Sequence, residues 1–359
     1  MNEIIELIEA KKYGDAMLGI EKLFEASEGD VVARTDLARL TYRIGQRARA
    51  LEMFGLVVSM NPGHAYPITH RAVLLLDEVF PLRTAGHARG PNRPAIQMST
   101  LGYNGRFGNQ INQYAFLSLS ARAQGLAIRT PNWIGRYLFN LQDAPILGAR
   151  DLIKETGIDI PASLAGLSPG AGKVSRLHDL DVWGYFGIRG DVLRPFREPF
   201  QLIFQPAPWI SPFTDGVLDR LEKRGRTVIA IHVRRGDMVS HRDYWVAPEE
   251  WYLEHLSRIW DESDRPVLYL ASDEPSMRHA FQKYSPIVDN DLAHPLPGAE
   301  FFTDWFVLTR AHHVCISNST FSYTAALVNQ TCSDFFRPSR VQSSLIRFDP
   351  WMEEQLIER

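Results

Sequence analysis

Ile229-Ala230-Ile231-His232-Val233-Arg234-Arg235-Gly236-Asp237 is the stretch on which the reading of the whole chain turns. Thr227 to Val233 forms a short, almost unbroken apolar run, the pattern of a strand buried on both faces of a parallel sheet. Such a strand has no room for two guanidinium groups in its interior, so Arg234 and Arg235 belong at its C-terminal edge. In open α/β sheets ligands bind at that edge. Arginine suits phosphate there, because its planar fork of donors matches phosphate oxygens and its charge is permanent. The plainer alternative is an arginine pair that salt-bridges a neighbouring loop.

Downstream the pattern returns twice. A helix over Pro248–Trp260 carries Glu249 and Glu250 in its first turn, where the helix dipole favours acids. A strand at Pro266–Ala271 ends in Ser272-Asp273-Glu274-Pro275, and a helix runs on through Lys283. A strand at His313–Ile316 ends in Ser317-Asn318-Ser319-Thr320 and leads into a helix reaching Val328. Alternating strand and helix predict a doubly wound parallel sheet, with three polar strand ends on one edge. Arginines, a carboxylate and a Ser/Thr-rich helix start then surround one ligand.

Upstream, a strand-like run from Gln97 to Leu101 gives way to Gly102-Tyr103-Asn104-Gly105-Arg106-Phe107-Gly108, and helical patterning follows from Asn109 to Gln124. Strand, glycine turn and helix bring backbone N–H groups close to an anion. The spacing is neither GxGxxG nor Walker A, so an ordinary βα turn is the alternative. Between residues 131 and 224, Trp133, Tyr137, Phe139, Trp183, Tyr185 and Phe186 suit either a carbohydrate groove or a core. Gly170-Ala171-Gly172-Lys173 imitates the end of a P-loop, but Val174 stands where a Mg²⁺-binding Ser or Thr belongs, which excludes it.

Residues 1–80 carry helix-period patterning that repeats. Tyr13, Ala16, Ile20 and Phe24 correspond to Arg47, Ala50, Phe54 and Val58, each at an offset of 34 (47 − 13, 50 − 16, 54 − 20, 58 − 24). That is the tetratricopeptide period, with unrelated helical hairpins as the alternative. Pro81, Pro91, Pro94, Gly86 and Gly90 make residues 81–95 a linker, so the remaining chain is expected to fold without the helices.

Of 359 residues, 39 are Lys or Arg and 42 are Asp or Glu, so a net charge of −3 gives no reason to expect nucleic acid or an anionic membrane as partner. No apolar run approaches the roughly 20 residues of a membrane span. The N-terminus is acidic and amphipathic, unlike a signal peptide, and Cys315 lies in an apolar run, which together predict a cytoplasmic protein with free thiols.

These residues carry a resemblance. His232-Val233-Arg234-Arg235-Gly236-Asp237 resembles the HxRRxD motif of the α1,2-, α1,6- and protein O-fucosyltransferase superfamily. Gly105-Arg106-Phe107-Gly108-Asn109-Gln110 is similar to the first donor loop of the α1,2 and protein O-enzymes. Leu270 to Ser276 is similar to a segment of the α1,6 group, and Ser317-Asn318-Ser319-Thr320-Phe321-Ser322 to the third motif of the α1,2 group, bacterial members in style. The resemblance spans roughly residues 97–345. It implies an α/β fold of GT-B type, with a Rossmann-like half at 96–224 carrying the first donor loop and a GDP-sugar-binding Rossmann-like half at 225–359. The tetratricopeptide-like module at 1–80 and the linker 81–95, read above from periodicity and composition, precede it and lie outside the resemblance.

The resemblance further implies inverting transfer of fucose from GDP-fucose to a glycan, lipid-linked glycan or protein acceptor, with no metal or other cofactor. The alternatives are a transferase using another nucleotide sugar, since arginines read the diphosphate and not the sugar, and an inactive nucleotide-binding helical-repeat scaffold. The helical repeats, outside the resemblance, are expected either to pack against the enzyme body or to hold a protein partner. Arg234 matches the phosphate-binding arginine, with Arg235 and Asp237 in the same motif. His232 and Asp273 match nucleoside contacts, while Arg106, Phe107, Gly108, Asn109, Ser319, Thr320 and Phe321 match the loops around diphosphate and fucose. Asp289-Asn290-Asp291 spells the DxD of metal-dependent transferases without a second cluster to support it. The α1,6 group carries a glutamate about ten residues after the motif histidine. Here Asp243 stands one place later and is the candidate base, with His241 as competitor.

Overall fold

A computed structural model describes residues 1–61, 65–79, 94–239, 245–292, 296 and 298–356. Five helices open the chain: α1 (Asn2–Glu9), α2 (Tyr13–Ala26), α3 (Val31–Arg43), α4 (Arg47–Met60) and α5 (Ala65–Val79). Asp30 caps α3, accepting the Ala33 N–H at 2.9 Å. The starts of α2 and α4, and of α3 and α5, keep the offset of 34 (47 − 13, 65 − 31). Ala16 and Ile20 are buried like Ala50 and Phe54, but the partner of buried Phe24 on the core side is Val57, not Val58.

The helices do not stand apart from the body. Ala72, Val73 and Leu76 of α5 belong to the same hydrophobic core as Ile96, Ile111 and Trp305. Gly298, at φ +75°, backs onto α5 so closely that a Cβ would lie 2.9 Å from Ala72 Cα. Asp77 of α5 pairs with Arg47 at 3.1 Å and accepts the Tyr137 hydroxyl at 2.9 Å. α5 thus packs as part of the body, and the linker lies outside the described residues except at Pro94 and Ala95. Ala95 is already strand.

Two five-stranded sheets make up the body. In the first, β1 (Ala95–Gln97), β2 (Ala127–Thr130), β3 (Ala144–Pro145), β4 (Asp151–Lys154) and β5 (Leu180–Trp183) run parallel in the order β3-β2-β1-β5-β4. The helix α6 (Phe107–Gln124) carries the chain from β1 to β2, starting two residues before the expected Asn109 and ending at Gly125 in the left-handed region (φ +67°). Residues 98–101, expected as strand, form a turn.

In the second sheet, β6 (Thr227–Val233), β7 (Pro266–Ser272), β8 (His313–Cys315), β9 (Asp334–Ser339) and β10 (Ser344–Phe348) follow the order β10-β9-β8-β6-β7. All pair in parallel except β10, which turns back against β9. Alternate residues of β6 enter two different cores, Val228 and Ala230 on one face and Ile229, Ile231 and Val233 on the other. The apolar run is continuous because both faces are covered. After β7 the expected long helix is a single turn, Met277–Ala280, followed by a 3₁₀ turn.

The 224/225 boundary matches an element break, yet contacts cross it. Gln201 donates to the Leu327 carbonyl at 3.1 Å. At the far end the chain returns to the first half. Asn112 and Gln355, both buried, exchange two amide hydrogen bonds of 2.6 and 3.0 Å. The Tyr323 hydroxyl fastens the same segment through Pro350 O at 2.6 Å and Glu353 O at 2.8 Å.

Candidate active site

Because β6, β7 and β8 pair in parallel, their C-terminal ends lie side by side. The chain leaves β6 as Arg234-Arg235, and the two guanidinium groups take different partners. Arg234 pairs with one carboxylate oxygen of Asp273, while the other accepts the backbone N–H of Arg235 at 2.7 Å. Arg235 pairs with Glu249, at the start of the Glu249–Trp260 helix, at 2.8 Å. Gly236 follows at φ +37°, and a Cβ there would run into the Asp273 carboxylate, so only glycine fits. The Ser272 hydroxyl donates to Val233 O at 2.7 Å and accepts the Glu274 N–H at 3.1 Å, fixing the end of β7 to the end of β6.

His232 is buried, with Nδ1 2.8 Å from the Ser317 hydroxyl and its ring 5.2 Å from that of Phe321. Burial holds the imidazole pKa well below its usual value, with the Asp273 charge opposing, so the ring is neutral at pH 7. A neutral ring offers one donor and one acceptor.

The glycine loop arrives from the first half. A Cβ on Gly108 would lie 2.5 Å from Phe321 N and Thr320 C, a backbone approach that no other residue permits. Beside it the Thr320 hydroxyl donates to Asn109 Oδ1 at 3.0 Å. Ser319 caps the Thr320–Val328 helix, its hydroxyl accepting the Phe321 N–H at 3.3 Å. Two helices therefore meet start to start, and their unpaired N–H groups and positive dipole ends converge. Phe107 anchors the approach among Phe301 (5.0 Å), Trp305 (5.6 Å) and Phe321 (6.4 Å). Arg106 precedes it on extended backbone as the N-cap residue of α6. Tyr103, in the same loop, lies 4.0 Å beneath the Arg39 guanidinium of α3 and 4.6 Å from the His70 ring of α5.

The structure thus gathers Arg234, Arg235 and Asp273 at one sheet edge and Gly108, Asn109, Thr320 and Phe321 at the facing helix starts, with His232 linked to both. Asp237 falls in the Gly236–Met238 turn. Asp243 and His241 lie outside the described residues. Glu249 was missed: its place in a first helical turn explained it already, and no spacing rule joins it to Arg235. Ser317 stood in the quoted motif, but only the parallel register brings it to His232.

Of the six aromatic residues in the middle of the chain, Trp133, Tyr137, Phe139 and Phe186 are core, whereas Trp183 and Tyr185 are exposed. Asp291 of the DxD triplet pairs with Arg278 at 2.9 Å. Among the described residues no group of three or more His, Cys, Asp or Glu is placed to hold a metal. No described helix is long and apolar enough to cross a membrane.

A guanidinium oriented by a carboxylate and a pair of converging helix starts are groups with the chemistry to hold an anion of phosphate type. No protein-family model matches the chain, and no curated protein does. Among solved structures it is similar to the fucosyltransferase NodZ from Bradyrhizobium, at 11% identity and a TM-score of 0.47 over 71% of this chain and 99% of that one. It is similar to POFUT1 in complex with GDP-fucose, at 14% identity and 0.46 over 70% and 98%. A third is a mutant of Arabidopsis thaliana FUT1 in complex with GDP, at 13% identity and 0.45 over 86% and 83%.

Proposed function

We infer that this chain is an inverting, metal-independent glycosyltransferase that moves fucose from GDP-fucose to a hydroxyl of a glycan or protein acceptor. Its two sheets would be the Rossmann-like halves of a GT-B-like enzyme, with α1 to α5 as a tetratricopeptide-like support. The observation that carries the reading is Arg234 of the HxRRxD-like stretch, oriented by Asp273 at the sheet edge that the helix starts of both halves face.

In the reaction the acceptor oxygen bonds to the anomeric carbon as the bond from that carbon to the β-phosphate oxygen breaks. The electron pair leaves with GDP. A preorganised guanidinium at Arg234 stabilises the charge growing on the β-phosphate, the task that Mg²⁺ performs in other transferases. The starts of α6 and of the Thr320–Val328 helix supply N–H donors to the diphosphate, with Arg106 to Asn109 and Ser319 to Phe321 enclosing diphosphate and fucose. His232 and Asp273 lie on the nucleoside side, and Arg235 and Asp237 of the same motif bind GDP-fucose with them. The hydroxyl proton goes to a base, for which Asp243 is the candidate and His241 the competitor.

A thermal-shift panel of GDP, GDP-fucose, GDP-mannose, UDP and ADP, each with and without EDTA, tests the reading. A ligand held only by the fold stabilises it by about 2.7 kcal/mol at a hundred times Kd. GDP and GDP-fucose are expected to raise Tm, UDP and ADP to leave it, and EDTA to change nothing. A response to UDP in place of GDP removes the donor assignment, and a strict divalent-metal requirement removes the metal-free one.

A further inference from the structure

Beyond the helical module, Trp183 at 36% and Tyr185 at 48% are the two aromatic side chains among the described residues that stand exposed, while others such as Trp209 and Trp245 are half-buried. Trp183 and Tyr185 flank Gly184 where β5 ends, so both stand at the C-terminal edge of the first sheet. Large aromatic faces left in water cost free energy, and two of them one residue apart mark a place where something apolar docks.

The segment that presents them is built rigidly. Oε2 of Glu155 accepts the N–H groups of Tyr185 and Phe186 at 2.9 and 3.0 Å. Gly184 packs so tightly on Glu155 that an added Cβ would lie 2.5 Å from the Glu155 Cβ. Phe186 holds a left-handed backbone at φ +52°, strained for a non-glycine residue, and its ring stacks on Phe116 at 4.1 Å. Lys154 brings its ammonium to 5.8 Å from the Trp183 ring. The buried Gln113 amide nitrogen, one helical turn past Asn109, donates to Gly184 O and to Asn104 O, both at 2.9 Å. One side chain therefore ties the aromatic pair to the glycine loop of the candidate active site.

We propose that Trp183 and Tyr185 form the acceptor platform and that the acceptor is a carbohydrate chain. The inference rests on the transferase reading above. An indole and a phenol ring match the C–H faces of pyranose rings, while the indole N–H, the phenol hydroxyl and the Lys154 ammonium suit the hydroxyls at their rims.

The test uses the full chain loaded with GDP on a printed array of neutral oligosaccharides, with an array of Ser- and Thr-containing peptides beside it. The wild-type chain is expected to retain oligosaccharides and not peptides. Trp183→Ala and Tyr185→Ala should each weaken that binding at least tenfold, Trp183→Phe should recover part of it, and the GDP-induced rise in Tm should be unchanged in all three. Unchanged oligosaccharide binding in both alanine variants overturns the proposal, as does retention of peptides alone or of nothing. Loss of the GDP response in the wild-type chain strikes the donor reading instead, and oligosaccharide binding that still depends on Trp183 then supports the platform by itself.

Discussion

Asn109 and Thr320 stand 211 positions apart in the chain and share a hydrogen bond of 3.0 Å. With Gly108 packed on the Thr320–Phe321 backbone, that contact makes the facing edges of the two halves one surface. Gly108→Ala should force them apart. Overpacking of this kind costs about 1–3 kcal/mol, so a lower Tm together with a lost or much reduced GDP shift is expected in differential scanning fluorimetry. A variant that keeps both would show that the close approach is incidental.

Arg234→Lys keeps the charge and discards the fork. Loss of a donor that stabilises the transition state typically costs about 2.7–4 kcal/mol, so turnover of GDP-fucose should drop by roughly 10²–10³ with the far-UV spectrum unchanged. Near-normal kcat in a folded Arg234→Lys protein would leave this arginine a structural partner of Asp273.

Asp243→Asn should lower kcat by roughly 10²–10⁴ with little change in GDP affinity, if Asp243 takes the acceptor proton. Full activity in Asp243→Asn with none in His241→Ala passes the role to the histidine. Activity in both variants would mean that neither residue is the base.

Acid should unfold the protein through its buried histidines. Desolvation lowers His70 to about 3 and His255 to about 4, and it lowers His232 as well. The unfolded chain protonates these rings near pH 6.5, and the fold does not. At these three rings the unfolded state binds more protons between those limits, so their contribution to stability rises with pH. The contribution is complete above about pH 6.5 and fades as pH drops toward 4. His255→Asn should flatten the Tm profile across that window; an equally steep profile would move the effect to other groups.

Removal of residues 1–93 is expected to abolish folding, since Ala72, Val73 and Leu76 leave the central core with α5. A shorter deletion that spares α5 should fold, but it also removes Arg39 from the Tyr103 ring and should weaken GDP binding through the glycine loop. A folded, GDP-binding fragment starting at Ala95 would contradict both statements.

Periodicity and turn chemistry carried much of the fold. The apolar run of β6, the polar strand ends and the repeat offset could be read because each is local: burial on two faces, a sheet edge and a helix period write themselves into neighbouring residues. Arg234 and Asp273 were placed at one edge by the parallel register alone. The pairing of Arg235 with Glu249, the stacking of Tyr103 beneath Arg39 and the docking of α5 onto Gly298 depend on chain segments that no local pattern relates. The Pro/Gly composition of 81–95 likewise carries no information on which side chains of α5 lie against Gly298. The aromatic residues in the middle of the chain divided into core and surface according to tertiary packing, which composition does not encode.

The paired amides of Asn112 and Gln355 set an order on folding as the chain is made. Gln355 is synthesised 243 residues after Asn112, a delay of roughly 12–50 s at ordinary translation rates of about 5–20 residues per second. Throughout that interval the first sheet has α6 but not the segment that covers Asn112. A chain that stops just after β10 keeps both sheets and the contacts of Gly108 with Phe321 and of Gln201 with Leu327, but it leaves Asn112 without its amide partner.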